Sequence, residues 1–152
     1  MQKIDRVDAN ITAALLRIDN LNLILPQGEI HTLESSTDVD ATSPSLHSIG
    51  WVNYVNRRWP VYCLTDEFRL LANVPPQRSA CALMAMGAGY IGIMCDDMIV
   101  LKDVAAQRYE LPVVMRLPGS PILYLVNYER GVACVSNARQ VTAYVERLVL
   151  NA

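Results

Sequence analysis

The sequence predicts an all-β fold of barrel type, with one short internal helix and a longer helix at its C-terminal end. Three observations predict it. Short runs rich in Val, Ile, Leu, Tyr and Trp recur along the chain, separated by pairs of turn-forming residues. Hydrophobic residues make up 52% and charged residues 18%, with a mean hydropathy of +0.19, as expected when many strands are buried on both faces. Only Val141, Tyr144, Val145 and Leu148 recur at i, i+3, i+4 and i+7, so a single stretch carries a sustained helical stripe.

The 152 residues suit one domain or two closely joined lobes. Residues 1–12 are polar and are expected to be a flexible N-terminus, frayed or a short helix; residues 13–152 are expected to form one domain. Leu15–Ile18 and Leu21–Leu25 flank Asp19-Asn20, and a two-residue loop there sets Leu16 against Leu23 and Ile18 against Leu21. Glu29–Leu33 follows as a short turn or strand. The Ser-, Thr- and Asp-rich stretch 34–48 reads as an exposed loop.

The most informative stretch is Ser48–Leu64, SIGWVNYVNRRWPVYCL. It reads as a hairpin with Asn56-Arg57 at its tip, which would set Tyr54 against Trp59 and Val52 against Val61. Pro60 donates no ladder hydrogen bond, so an edge position or a bulge is expected there. Phe68 and Leu71 are spaced for the short internal helix over Asp66–Leu71, with Thr65 as its N-cap.

Ala80–Met86 and Tyr90–Cys95 form a third hairpin around Gly87-Ala88-Gly89; a three-residue loop would oppose Cys81 and Cys95, and a two-residue loop would not. Met98–Leu101 continues as strand, and Lys102–Glu110 is a polar excursion. Leu111–Leu117 and Ile122–Val126 are expected strands around Pro118-Gly119, and residues 128–131 turn the last hairpin into Val132–Val135. Asn137 then caps the terminal helix, with Gln140 three residues on.

Chemistry-bearing patterns are sparse, and no enzyme is expected. Net charge is −2, against a nucleic-acid surface built on basic excess. Cys63, Cys81, Cys95 and Cys134 lack CxxC spacing and read as buried, reduced thiols of a cytoplasmic protein. His31 and His47 lie in polar surroundings without a metal-ligand set, so neither metal nor cofactor is expected. The glycines of GAGYIG sit in a hairpin and do not open a helix, unlike those of a phosphate loop. MQKIDRVDANIT has no apolar core, so no signal peptide is expected, and the apolar run 80–95 is too short and glycine-rich for a membrane span. Asp96-Asp97 ends an apolar strand abruptly. Adjacent strand residues point to opposite faces, which favours a structural or partner-facing role over paired acid–base work.

In order and spacing, these motifs resemble the CheW-like family, the adaptor domains of bacterial chemosensory arrays. LLRIDNLNLILP looks like the family's opening strands. GWVNYVNRRWPVYCL is similar to its signature, roughly G-x-x-N-x-R-G-x-x-x-P-V-x-D-L, matched at Gly50, Asn53, Pro60, Val61 and Leu64. GYIGIMCDDM resembles its G-x-x-x-D-x-V strand at Gly92 and Asp96, with Met98 in the apolar place. The resemblance implies two interlocked five-stranded SH3-like barrels. It also implies a non-enzymatic role, bridging the cytoplasmic tip of a chemoreceptor to the regulatory domain of a CheA-type histidine kinase.

Where the family has Arg, Gly and Asp, this chain has Val55, Asn56 and Cys63. The missing guanidinium removes a charge-assisted donor, which Arg57 or Arg58 would have to replace. That divergence points to a specialised pathway, such as one linked to type IV pili. The expected partner-binding residues are Ile30, Leu33, Asn53, Val55, Asn56, Arg57, Arg58, Asp96 and Met98. A scaffold of the same fold with a partner outside chemosensory arrays is one alternative. A β-barrel nucleic-acid binder using the aromatic and basic tip is another.

Overall fold

The computed structural model describes residues 3–6, 12–87, 89–102, 107–116, 119–128 and 131–152. Lys3–Arg6 forms strand β1, where a frayed end or short helix is expected. Strands β2 (Ala13–Ile18) and β3 (Leu21–Pro26) pair as their spacing requires, Leu16 opposite Leu23 and Ile18 opposite Leu21. Asp19 takes a φ of 54° in the turn between them, a conformation its short polar side chain tolerates. After a 3-10 turn at Gln27–Glu29 come β4 (Ile30–Ser35), β5 (Gly50–Tyr54), β6 (Arg57–Leu64) and the two-residue β7 (Leu70–Leu71). Strands β8 (Ala80–Met86), β9 (Gly89–Cys95), β10 (Asp97–Leu101), β11 (Gln107–Tyr109), β12 (Tyr124–Tyr128) and β13 (Gly131–Val135) follow. Helix α1 (Ala138–Asn151) closes the chain, its first turn capped by Asn137 Oδ1, which accepts from Gln140 N–H at 2.8 Å.

The strands form two curled sheets built on one plan. In the first, hairpin β2–β3 meets hairpin β12–β13 through a parallel pairing of β3 with β13, giving the order β1-β11-β12-β13-β3-β2-β10. In the second, hairpin β5–β6 meets hairpin β8–β9 through parallel β6 and β9, giving β4-β8-β9-β6-β5, with β7 on β6. The chain builds half of the first sheet, then all of the second, then returns to the first, so the lobes interlock. Helix α1 leaves the first sheet and packs on β8 and β9 of the second. Glu29, at the crossing between sheets, accepts from the Ala138 N–H at 2.7 Å.

This arrangement gives the strands apolar surroundings on both faces. Leu16, Ile18, Leu23, Leu25, Ala82 and Met84 point into a core shared by both lobes and by Val141 and Val145 of α1. Their neighbours point into separate barrel interiors: Leu15 and Ile24 in one lobe, Cys81, Leu83 and Trp59 in the other. Each buried side chain of this size stabilises the fold by about 1.5–3 kcal/mol. The hydropathy of the sequence therefore has a specific cause.

Several local expectations are corrected. No helix forms over Asp66–Leu71. Thr65 Oγ1 accepts from the N–H groups of Glu67 and Arg69, Phe68 adopts a φ of 61°, and Leu70–Leu71 pairs with Cys63–Leu64. The threonine that would cap a helix instead closes a turn, because its hydroxyl bonds the backbone locally. Leu111–Leu117 is not a strand. Pro112 leads into a 3-10 turn at Val113–Met115, and Arg116 clamps it by donating to the Leu111 carbonyl at 2.7 Å (Leu117 lies outside the described residues). The strand expected at Ile122–Val126 begins two residues later. Of the two loops left open for the third hairpin, the two-residue one forms: Ala80 stands opposite Cys95 and Cys81 opposite Met94.

Candidate protein-docking site

A further correction moves the tip of the central hairpin. Tyr54 pairs with Arg57 and Val52 with Trp59, so the two-residue loop is Val55-Asn56 and not Asn56-Arg57. Both loop residues have positive φ, 50° and 56°, the handedness that matches the twist of paired strands. Asn is suited to this conformation. Val is not: a β-branched residue there costs about 1–2 kcal/mol. Pro60 stands opposite Trp51, and the parallel pairing of β6 with β9 begins one residue later at Val61, so the missing N–H of Pro60 breaks no ladder there.

The tip is held rigidly from below. Trp59 is buried, donates from its indole N–H to the Tyr54 carbonyl at 3.1 Å, and packs its ring against those of Tyr54, Tyr90 and His31. The Arg57 guanidinium lies 4.5 Å over the Tyr90 ring and that of Arg58 lies 4.2 Å over Trp51. Such stacking fixes the cations while leaving their donors available. Val55 is 74% exposed at the apex.

Of the expected binding residues, Asn53, Val55, Asn56, Arg57 and Arg58 thus lie together, lining a shallow cleft of about 360 Å³ with Tyr54. The others lie elsewhere. Leu33 is on β4, at the opposite edge of the same sheet, and is 40% exposed. Ile30 and Met98 pack against the shared core. Asp96 is occupied by Arg78.

Arg78 is the residue that sequence reading misses. It is 1% exposed, yet every direction of its guanidinium is answered. Nε donates to Asp96 Oδ1 at 2.9 Å, one terminal nitrogen donates to Asp19 Oδ2 at 2.8 Å, and the other to the Leu64 carbonyl at 2.8 Å. Asp96 also accepts from the Asp19 N–H, so the turn of the first hairpin, the end of β9 and the end of β6 are tied at one point. Asp97 turns the other way and takes Arg17 in a two-pronged pair at 2.8 and 2.9 Å. The two neighbouring acids do point apart, and each has its own arginine.

The cysteines are free, and burial pushes all four thiols up, Cys95 to about 12 and Cys81 further. Thiols held neutral and out of solvent are poor nucleophiles. Ellman's reagent at pH 8 is expected to modify at most the half-buried Cys134 in the folded chain and all four after unfolding; two or more fast-reacting thiols in the folded chain would refute this. Because the folded values are raised above the ordinary thiol value of 9.0, stability is retained below pH 9 and declines between about 9 and 12 as the unfolded chain ionises first. Among the described residues no group of three or more His, Cys, Asp and Glu is placed to hold a metal ion.

No protein-family model matches this sequence, and no curated protein matches it. Solved structures do. The chain is similar to the scaffolding protein TtCheW from Thermoanaerobacter tengcongensis, with a TM-score of 0.62 and 13% identity, over 84% of this chain and 88% of that one.

The fold is CheW-like. Two sheet-built lobes that share a core, the second inserted into the first, are the form in which the expected pair of SH3-like barrels appears. Within the CheW-like fold the matched Gly50 has a clear duty. It begins β5 at a φ of 154°, where a Cβ would stand 2.4 Å from the Asp40 carbonyl oxygen. That contact lets Asp40 and Trp51 exchange backbone hydrogen bonds of 2.7 and 2.9 Å, which brace the ring under Arg58. Gly92 is equally constrained, with Cys81, Leu83 and Val61 crowding the place of a Cβ.

Proposed function

We propose that this chain is a non-enzymatic adaptor of the chemotaxis type. In this reading it couples the cytoplasmic tip of a chemoreceptor to the regulatory domain of a CheA-type histidine kinase, in the cytoplasm. The supporting observation is a CheW-like double lobe whose second hairpin carries an exposed tip, braced from beneath by aromatic rings. Lobes 1 and 2 act as one module, because a shared core and α1 join them. No described helix is long and apolar enough to cross a membrane.

The replacement of the family's signature arginine by Val55 favours a specialised system, such as a pilus-linked pathway, over general flagellar control. It equally motivates a second reading, a scaffold of this fold whose partner lies outside chemosensory arrays. Calorimetric titration of the purified chain with the kinase regulatory domain and the receptor tip from the same genome tests the first reading. Micromolar binding to at least one is expected, the range of transient signalling contacts. Binding to neither refutes it, and salt-dependent binding to an oligonucleotide in its place would favour the nucleic-acid alternative.

A further inference from the structure

The apex of the β5–β6 hairpin combines three properties that folding alone does not require. A β-branched residue, Val55, occupies a left-handed position that Gly or Asn would fill without strain. Its side chain is 74% exposed, so no packing within the chain compensates. Beside it, Arg57 and Arg58 are pinned on Tyr90 and Trp51, and neither forms an ion pair with a carboxylate among the described residues. A chain of net charge −2 therefore presents two cations held on aromatic rings beside an apolar knob, with Asp40 near enough to feel the charge of Arg58 but not bonded to it. Backbone strain retained at an exposed position points to a role outside the fold.

We infer that Val55 is the anchor of a protein contact: it inserts into an apolar socket on the partner, and Arg57 and Arg58 pair with carboxylates on the rim of that socket. Charge complementarity selects this partner, since two guanidinium groups already held in place lose little freedom when they meet acids. The partner is a folded protein surface, because a knob needs a preformed pocket. This inference rests on the adaptor reading above and deepens it.

The test compares the wild-type chain with V55G, V55N and the double variant R57Q/R58Q. Each is titrated against the kinase regulatory domain and the receptor tip at low and high salt, and each is unfolded in urea. V55G and V55N are expected to unfold at higher urea than wild type, yet to bind at least tenfold more weakly. R57Q/R58Q is expected to bind more weakly at low salt and to lose most of the salt dependence. If V55G and V55N bind as wild type does, the anchor is refuted while the adaptor reading stands. If neither variant unfolds at higher urea, the premise of retained strain is refuted. If R57Q/R58Q keeps the wild-type salt dependence, the acidic rim is refuted. A wild-type chain that binds neither probe overturns the adaptor reading and the anchor with it.

Discussion

Arg78→Ala is expected to destabilise the chain by about 3–5 kcal/mol, the usual cost of removing one partner from a buried ion pair. For a chain of this size that lowers the melting temperature on the order of 10 °C. The guanidinium is inaccessible, and its partners Asp19 and Asp96 have side chains only 30% and 19% exposed. Without Arg78, two carboxylates and the Leu64 carbonyl are left in a poorly solvated pocket. The loss therefore arises from stranded acceptors more than from forfeited attraction. Arg78→Met combined with Asp19→Asn and Asp96→Asn should recover part of it, since no net charge then remains to be solvated. Urea unfolding of the wild type, the single variant and the triple variant checks this. A loss below about 1 kcal/mol for Arg78→Ala, or a triple variant less stable than the single one, would disprove the account.

The second large effect is expected at Gly50→Ala, about 3 kcal/mol or more. Adopting this φ costs a residue with a side chain about 1–3 kcal/mol. The added methyl must also displace the Asp40 carbonyl, which is backbone and cannot rotate away. Moving it opens the paired hydrogen bonds between Asp40 and Trp51 and loosens the ring on which Arg58 rests. Loss of stability should accordingly be joined by weaker partner binding and by an altered Trp fluorescence spectrum. A variant within about 1 kcal/mol of wild type, with an unchanged spectrum, would show that the Asp40 loop yields freely.

Local features were legible where one short-range rule dominates. Asp19-Asn20 sets its hairpin because two turn residues lie between apolar runs, leaving one register that buries Leu16, Ile18 and Leu23 and packs Leu21 against them. Asn137 caps α1 because its side chain and the Gln140 N–H are neighbours in sequence. Where two rules competed, reading failed. Asn56 was visible as a turn residue, but its loop partner is Val55, which propensity would never nominate. The aromatic packing of Trp59 on Tyr90 and His31 accompanies this register at the price of strain in the loop. Thr65 offered a helix cap, and pairing of Leu70–Leu71 with β6 decided for a turn.

The candidate site was half legible. The run from Asn53 to Arg58 is contiguous, so any hairpin keeps it together at one tip. Ile30, Asp96 and Met98 are apart from it, because burial against the shared core and the pull of Arg78 claim them. No sequence pattern marks Arg78, whose acidic partners lie 59 and 18 positions away.

By itself the sequence determined the mainly β class, the first and last hairpins and the capped terminal helix. These follow from contacts between near neighbours, which spacing and turn chemistry specify. Only the tertiary structure decided how two similar sheets interlock, that Val55 stands strained at the apex, and that Arg78 joins the lobes. Those depend on parallel pairings and buried charges between distant segments, whose energies arise only when the chain is already folded around them.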